Sequence, residues 1–440
     1  MKITVLGGGL SALTLTYFLQ DNPDVTEIEI IEKEKQLGGL CRSFAFNDIY
    51  HDIGPHIIFS KDEEMLNLII TILGENCHKL RRSNKIIHKE SWVQYPFEND
   101  LSKLPQEDLN YAVNSFINNP YENYASRNML QFLLKTFGEG ITNLYLRPYN
   151  EKIWKFDPCF MDTQMVDRIP KPPKEDILRS ARGETIDGYL HQLYFYYPIQ
   201  GGVQALITNL TNSISSKIKI HAGQEIKQIK RTKNGFKILT HDKEFYAEKI
   251  VSTIPANILA SVYDKKESAI MEAAQALKYN SLIIALVEVA QDMSGENYVF
   301  TIADKDVIFH RISKLDFLGA NYHRDGTATY MIEITYRKGD IIDSISEPEL
   351  RANIIRGLKK IRFITKDIDI MDMHISRFEY AYVIYDLMHK DNIIKVKSFF
   401  ENEGITLHGR FGEFEYFNMD TIFRRSKDLA PKFRSGNQKS

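Results

Sequence analysis

The sequence predicts an α/β protein in which a sheet unit led by a glycine turn, a mainly helical insertion and an antiparallel sheet pack together. Three observations carry that expectation. Ile3-Thr4-Val5-Leu6 runs into Gly7-Gly8-Gly9; Leu13, Leu15, Tyr17, Phe18 and Leu19 then make a mostly apolar helix, and Glu27 to Glu32 (EIEIIE) is a second strand. Residues 61–150 look helical, with Met65, Leu66, Leu68, Ile69, Ile72 and Leu73 at helical spacing. Residues 280–290, 297–312 and 328–336 alternate in the manner of a larger antiparallel sheet.

The remaining elements follow in order. Pro170, Pro172 and Pro173 punctuate the chain. After Gly201-Gly202, a helix from Val203 to Ile214 precedes short strands at 218–220, 226–229, 236–239 and 244–247. The turn Lys233-Asn234-Gly235 supplies the positive φ of a tight hairpin, so these strands read as a small β-meander returning to the first sheet through Lys249 to Thr253. The expected division is 1–60 with 201–260 and 400–425 as a Rossmann-like, nucleotide-binding part, and 61–170 as the helical insertion. Residues 171–200 with 261–399 form the antiparallel sheet on the substrate side, and 426–440 a flexible basic tail. The last 17 residues hold six Lys or Arg against one Asp and show no apolar periodicity, so a mobile tail is expected, with a membrane or partner contact as its other reading.

Length and composition bound the function. A chain of 440 residues is too long for one ordinary core and fits two or three packed domains. Lys plus Arg number 56 against 58 Asp plus Glu, a net charge of −2, which argues against a nucleic-acid binder. A hydrophobic fraction of 43% excludes disorder as the dominant state. Cys41, Cys77 and Cys159 lie at no metal-like spacing and fit a reducing compartment; Cys41 reads as a structural thiol. The start MKITVLGGG lacks an export signal, and no apolar run reaches the roughly 18–20 residues of a membrane span; the best, Leu282 to Ala290, carries Glu288. A cytoplasmic protein without a transmembrane segment is the expectation. No HExxH, P-loop lysine or GxSxG occurs, no metal site is expected, and Met161 and Met165 read as core.

The glycine turn carries the first chemistry. Gly7-x-Gly9-x-x-Ala12 follows a strand and opens a helix, the context in which a dinucleotide fingerprint has meaning. Gly7 permits the turn, and Gly9 lets the N–H groups of the first helical residues, Leu10 and Ser11, approach a pyrophosphate. Glu32, followed by Lys33, ends the second strand where a ribose would be bound, and an acid there selects against a 2′-phosphate. The motif alone does not separate NAD from FAD. Leu37-Gly38-Gly39-Leu40-Cys41-Arg42-Ser43, with exposed amides around Gly39 and Leu40 and an arginine able to pair with a diphosphate, favours FAD.

Further segments match a known pattern in order: DIGPHIIFS (52–60), VQYPFEND (93–100), FGEGITNLYLRPYNEKIW (137–154), VDRIPKP (166–172), FYYPIQGG (195–202), VSTIP (251–255) and GRFGEFEY (409–416). From residue 1 to about 424 the chain resembles the FAD-dependent superfamily of amine oxidases, protoporphyrinogen oxidases and UDP-galactopyranose mutases, most closely the mutases of eukaryotic type. The resemblance implies exchange of the pyranose and furanose forms of a nucleotide-diphosphate sugar, UDP-galactose or a dTDP-sugar, begun by attack of reduced-flavin N5 on the anomeric carbon. It implies a place in galactofuranose and polysaccharide synthesis, a reductant such as NAD(P)H, and leaves room for an oligomer. The competing reading is an oxidase or dehydrogenase of the amine or porphyrinogen type, and a third is a flavin-binding partner of a glycosyltransferase.

What the resemblance implies for residues is specific. His56 would lie beside the flavin, with Pro55 replacing a usual glycine; a satisfied core histidine is the other reading. Arg168 and Arg311 would bind the diphosphate, with a surface ion pair as the alternative for Arg168, and Tyr382 and Tyr416 would hold its oxygens. Tyr95 and Phe97 would stack the nucleobase, and Asn150, Trp154, Gln192 and Tyr298 would face the substrate. Glu98 stands where glutamine is usual and Gln192 where asparagine is usual. Ile226, Arg410, Tyr416, Asn418 and Met419 would complete the FAD site with His56, the last helix pointing its N-terminus at the flavin.

Overall fold

A computed structural model describes residues 1–169, 171–184, 186, 193–215 and 218–434, with Asp167 and Arg168 described by their backbone alone. Gln192 and the side chain of Arg168, both expected in the site, lie outside the described residues.

The first sheet has five strands in the order Ile405–Leu407, Lys249–Ser252, Lys2–Leu6, Glu27–Ile31, Ile218–His221, all parallel. Ile3, Val5, Leu6, Ile28, Ile30, Val251 and Ile405 are all buried, as expected of a parallel sheet covered on both faces. Helix Leu10–Leu19 buries Leu10, Leu13, Leu15 and Leu19 and packs against helices Gln204–Asn212 and Met419–Leu429. The meander forms from Gln228–Thr232, Gly235–Leu239 and Glu244–Ala247. Its hairpin needs glycine: Gly235 has φ 136°, and a Cβ there would sit 2.1 Å from the Ala247 carbonyl oxygen.

The second sheet has seven strands, in the order Ile370–Ile384, Lys278–Val289, Ala328–Tyr336, Arg311–Lys314, Val299–Ile302, Asn84–His88, Ser91–Gln94. It is antiparallel except where Val299–Ile302 runs parallel to Asn84–His88. The stretch 297–312 is therefore two strands, not one, separated by a turn. Together these findings give an α/β architecture of a Rossmann-like part joined to a larger sheet.

Two expectations are corrected. The stretch 61–150 carries helices Glu63–Leu73, Gln106–Ile117, Met129–Ile141 and Arg147–Trp154, but also strands His78–Arg81, Asn84–His88 and Ser91–Gln94. Strands of four or five residues are too short to show a period; Ile86, Ile87 and Val93 become strand residues because the larger sheet buries them. The tail is folded as far as Arg434. Helix Met419–Leu429 and the turn Ala430–Phe433 bury Ile422, Phe423, Ser426, Ala430 and Phe433 on one side. Three basic residues of this segment are paired: Arg424 with Asp62 and Glu64, Lys427 with Glu64, Arg425 with Glu413. Because Arg424 remains about one-third exposed, Arg424→Ala should lower stability by only about 0.5–1 kcal/mol in denaturant unfolding, and less at high salt. Among the described residues no helix is long and apolar enough to cross a membrane.

Candidate active site

Four parallel strands of the first sheet end at one cavity of about 640 Å³. Gly7 follows the first, Glu32 the second, Thr253 the strand Lys249–Ser252, and Arg410 lies just beyond Ile405–Leu407. This is the carboxyl edge at which open α/β sheets bind ligands. The second sheet closes the other side through Leu282, Arg311 and the run Arg377 to Tyr382.

The glycine cradle is tight for stated reasons. A Cβ on Gly7, whose φ is 95°, would lie 2.6 Å from Thr253 Oγ1, and one on Gly39 would lie 3.1 Å from Gly9 Cα. Gly9 caps helix Leu10–Leu19 without a side-chain bond, so the helix presents bare N–H groups at Leu10 and Ser11 to the cavity. Glu32 is held by the N–H groups of Gly8 (2.5 Å) and Glu34 (2.8 Å), which orients its carboxylate at the rim. Arg42 donates to the Gly39 carbonyl at 2.8 Å and stands 3.7 Å from Glu34. Lys33, Leu40, Ile226, Asn418 and Met419 line the same cavity, as do Gly9, Gly39, Arg42, His56, Arg410 and Tyr416, so every expected cofactor residue reaches it.

The opposite wall is cationic and aromatic. Arg311 and Glu333 are register partners on neighbouring antiparallel strands, which brings the guanidinium and carboxylate face to face. The pair is bidentate, Nε to Oε1 at 2.5 Å and Nη2 to Oε2 at 2.6 Å, and Glu333 is fully buried. Burial opposes the charge on Arg311, but Glu333 outweighs it and raises the guanidinium pKa. Arg311 Nη2 also reaches the Tyr382 hydroxyl at 3.1 Å. The Tyr382 and Tyr416 rings lie parallel, 6.0 Å apart, with the Trp154 indole edge-on to both. Arg410 sits over the Tyr416 ring at 4.0 Å, and its Nε and Nη2 are buried with no hydrogen-bond partner among the described residues. Such buried donors ask for an acceptor that arrives with a ligand.

His56 joins the two walls. Its Nδ1 is 3.1 Å from the Gly54 carbonyl oxygen, which can only accept, so Nδ1 carries the proton and Nε2 does not. Burial, then the charges of Arg410 and Arg311, push its pKa down to about 4, so the imidazole is neutral at pH 7.

Other expected substrate residues do not line this cavity. Phe97 is fully buried and stacks on Tyr145 at 5.0 Å; Tyr298 is 1% exposed between Phe195 and Phe317. Both are core aromatics, because the turn Phe97–Asn99 and the segment before Val299–Ile302 face inward, an orientation no motif encodes. Tyr95 is partly buried and also lies off the cavity. Asn150 and Trp154 are one helical turn apart; Asn150 accepts from the indole at 2.7 Å and donates to the Leu146 carbonyl, so it sets the indole.

Three residues escaped the sequence reading. Glu333 is a lone charge within the apolar strand TYMIEITY, the one signal that could have found it. Asp52 opens the segment DIGPH, in which no pattern marks its carboxylate. Arg82 lies 4.6 Å over the cavity-lining Phe59, and its Nε and Nη2 are buried without partners.

Glu98 is 1% exposed with Oε1 unpartnered, and burial pushes its carboxyl up to about 7. A carboxyl raised on folding favours the folded state fully below its unfolded pKa and loses that contribution as pH rises through about 7. Glu98→Gln should therefore stabilise the protein above pH 7, by up to about 3 kcal/mol, and flatten the fall in stability between pH ~4.5 and ~7. Denaturant unfolding across that range checks it.

The family described as flavin containing amine oxidoreductase matches residues 10–388. The chain belongs to that family. A UDP-galactopyranose mutase of Mycoplasma genitalium is 22% identical over 184 residues, 38% of this chain and 43% of that protein, so the match spans less than half of that curated relative. Among solved structures, a reduced UDP-galactopyranose mutase superposes with a TM-score of 0.89 at 21% identity, covering 98% of this chain and 95% of that one. A putrescine oxidase variant gives 0.67 at 13% identity, covering 98% of both. These likenesses establish the shared fold. Membership of the family implies a flavin, and the cavity fits one: a cradle in which a Cβ on Gly7 or Gly39 would crowd its neighbours, and a helix N-terminus without a side-chain cap for a diphosphate.

Proposed function

We propose that the protein is a FAD-dependent mutase that interconverts the pyranose and furanose forms of a nucleotide-diphosphate sugar, with UDP-galactose and dTDP-sugars as the expected class. The observation that carries the reading is the wall facing the glycine cradle, where Arg311, Arg410, Tyr382 and Tyr416 make a donor set suited to a diphosphate. Bound FAD, once reduced by a donor such as NAD(P)H, supplies a nucleophile for the anomeric carbon without net redox change. In the same reading residues 1–60, 201–260 and 400–425 hold the cofactor, and 171–200 with 261–399 form the substrate side.

The chain's own groups divide the work. Arg410 offers its two unmatched N–H groups to a diphosphate that leaves as a dianion. Arg311, gripped by Glu333 through Nε and Nη2, keeps Nη1 outside the pair for the same anion. The Tyr382 and Tyr416 rings, braced edge-on by the Trp154 indole, shape one rigid face against which a sugar can turn without the site filling with water. Neutral His56 adds no charge beside the reacting carbon and offers an acceptor at Nε2.

A specific observation also favours the oxidase reading. Parallel tyrosines with an edge-on tryptophan would suit a substrate ammonium as well as a sugar. Two guanidiniums in the same wall oppose that, since like charges disfavour a bound cation. Titrating the flavin-loaded protein with UDP and with putrescine, read by flavin fluorescence, separates them. Salt-sensitive binding of UDP alone supports the mutase; binding of putrescine alone supports the oxidase.

A further inference from the structure

Asp52 ends the strand Ile49–Asp52 and is 2% exposed. Its carboxylate gathers donors from separate stretches of chain, every one of them neutral. The Ser43 hydroxyl donates to Oδ1 at 2.6 Å, the Val203 N–H to the same oxygen at 3.0 Å, and the Tyr197 hydroxyl to Oδ2 at 2.7 Å. The chain then runs from Asp52 through Ile53, Gly54 and Pro55 to His56, whose backbone lies close enough to lower the Asp52 pKa slightly. Burial nonetheless holds this carboxyl up at about 6, so it is ionised at neutral pH and able to accept all of them.

The surroundings leave this knot little slack. A Cβ on Gly202, whose φ is 62°, would lie 2.3 Å from Ser43 Oγ and 2.7 Å from Asp52 Oδ1. The Gln204 N–H donates to Ser43 Oγ at 2.9 Å, tying the start of helix Gln204–Asn212 to the same point. On the far side, a Cβ on Gly54 would lie 3.1 Å from Glu333 Oε2, so the His56 turn rests directly on the Arg311–Glu333 pair. A shift of the turn by a few tenths of an ångström would press on the cationic wall.

We propose that Asp52 is the positioning residue of the active site, its carboxylate fixing the His56 turn so that the imidazole keeps its proton on Nδ1, bonded to Gly54, and leaves Nε2 bare. Hydroxyl donors can rotate to suit another acceptor, but the Val203 N–H cannot, so the carboxylate pins the residue from which the Gly54–His56 turn departs. The inference rests on the proposed reading only in taking the His56-lined cavity as the flavin site; it does not depend on which reaction occurs there.

The test uses flavin-loaded protein with ¹⁵N-labelled histidine at neutral pH, the His56 signals being assigned by their loss in His56→Asn. Wild type should show a single Nδ1–H tautomer for His56. Asp52→Asn should mix the tautomers and, on an NDP-sugar that turns over, lower kcat about tenfold with KM changed less than twofold. Should Asp52→Asn not fold, Ser43→Ala and Tyr197→Phe, each removing one donor, should shift the same signals by less. An unchanged His56 tautomer in a folded Asp52→Asn protein, or in both donor variants, overturns the proposal. Absence of sugar turnover in wild type would count against the mutase reading and leave the histidine readout intact.

Discussion

Glu333→Ala is expected to lower the free energy of unfolding by about 3–5 kcal/mol, because it leaves the largely buried Arg311 guanidinium without the carboxylate that pairs with it. The pair lies between two strands at the centre of the seven-stranded sheet, with the carboxylate fully removed from water. Glu333 cannot relax into solvent without parting the strands, whereas Arg311 also faces the cavity. Replacing both, as Arg311→Met with Glu333→Leu, should recover most of the lost stability, since an apolar pair of similar volume removes both desolvated charges. The same double variant should still fail to bind UDP tightly. Denaturant unfolding and UDP titration on the three proteins check both statements, and a recovery of binding along with stability would show that Arg311 is structural only.

Arg410→Ala should behave oppositely. Its Nε and Nη2 are buried with no partner, so removing them takes away an unmet desolvation penalty and should leave stability unchanged or slightly raised. UDP affinity should fall by about 2–4 kcal/mol, roughly 30- to 700-fold, because a charge-assisted contact in a dry site is lost. Wild-type binding should weaken with salt and the variant's binding much less so, as expected if one cation has been taken from the anion's environment. Loss of stability without loss of UDP affinity would make Arg410 a strut for the tyrosine pair.

What could be read from the chain alone followed from how local the information is. The cradle of Gly7, Gly9 and Glu32 is written within one strand–helix–strand unit, so pattern and site coincide. The meander was legible because its turn calls for a positive φ, which Gly235 supplies. Arg311 could be singled out as a charge in an apolar strand, but its partner Glu333 is set by strand register, which only the folded sheet supplies. Phe97 and Tyr298 show the converse: a matched motif names a residue without saying which way its ring points, and both rings complete the core. The strands at 84–94 and the docked segment up to Arg434 are tertiary in origin, one made by sheet edges and the other by acids at Asp62 and Glu64. Asp52 belongs to the same class, since its donors come from positions as far apart as Ser43 and Val203.

The central claim, that this cavity turns a nucleotide sugar over without net redox change, is tested most directly by product analysis under anaerobic conditions. The flavin-loaded protein, oxidised or reduced with dithionite, is incubated with UDP-galactose and with dTDP-fucose, and the sugars are separated by chromatography. The account predicts a furanose product from at least one donor with the reduced protein and none with the oxidised one. Equal inertness of both forms on every NDP-sugar, or oxidation of an amine or porphyrinogen with consumption of oxygen, would contradict it.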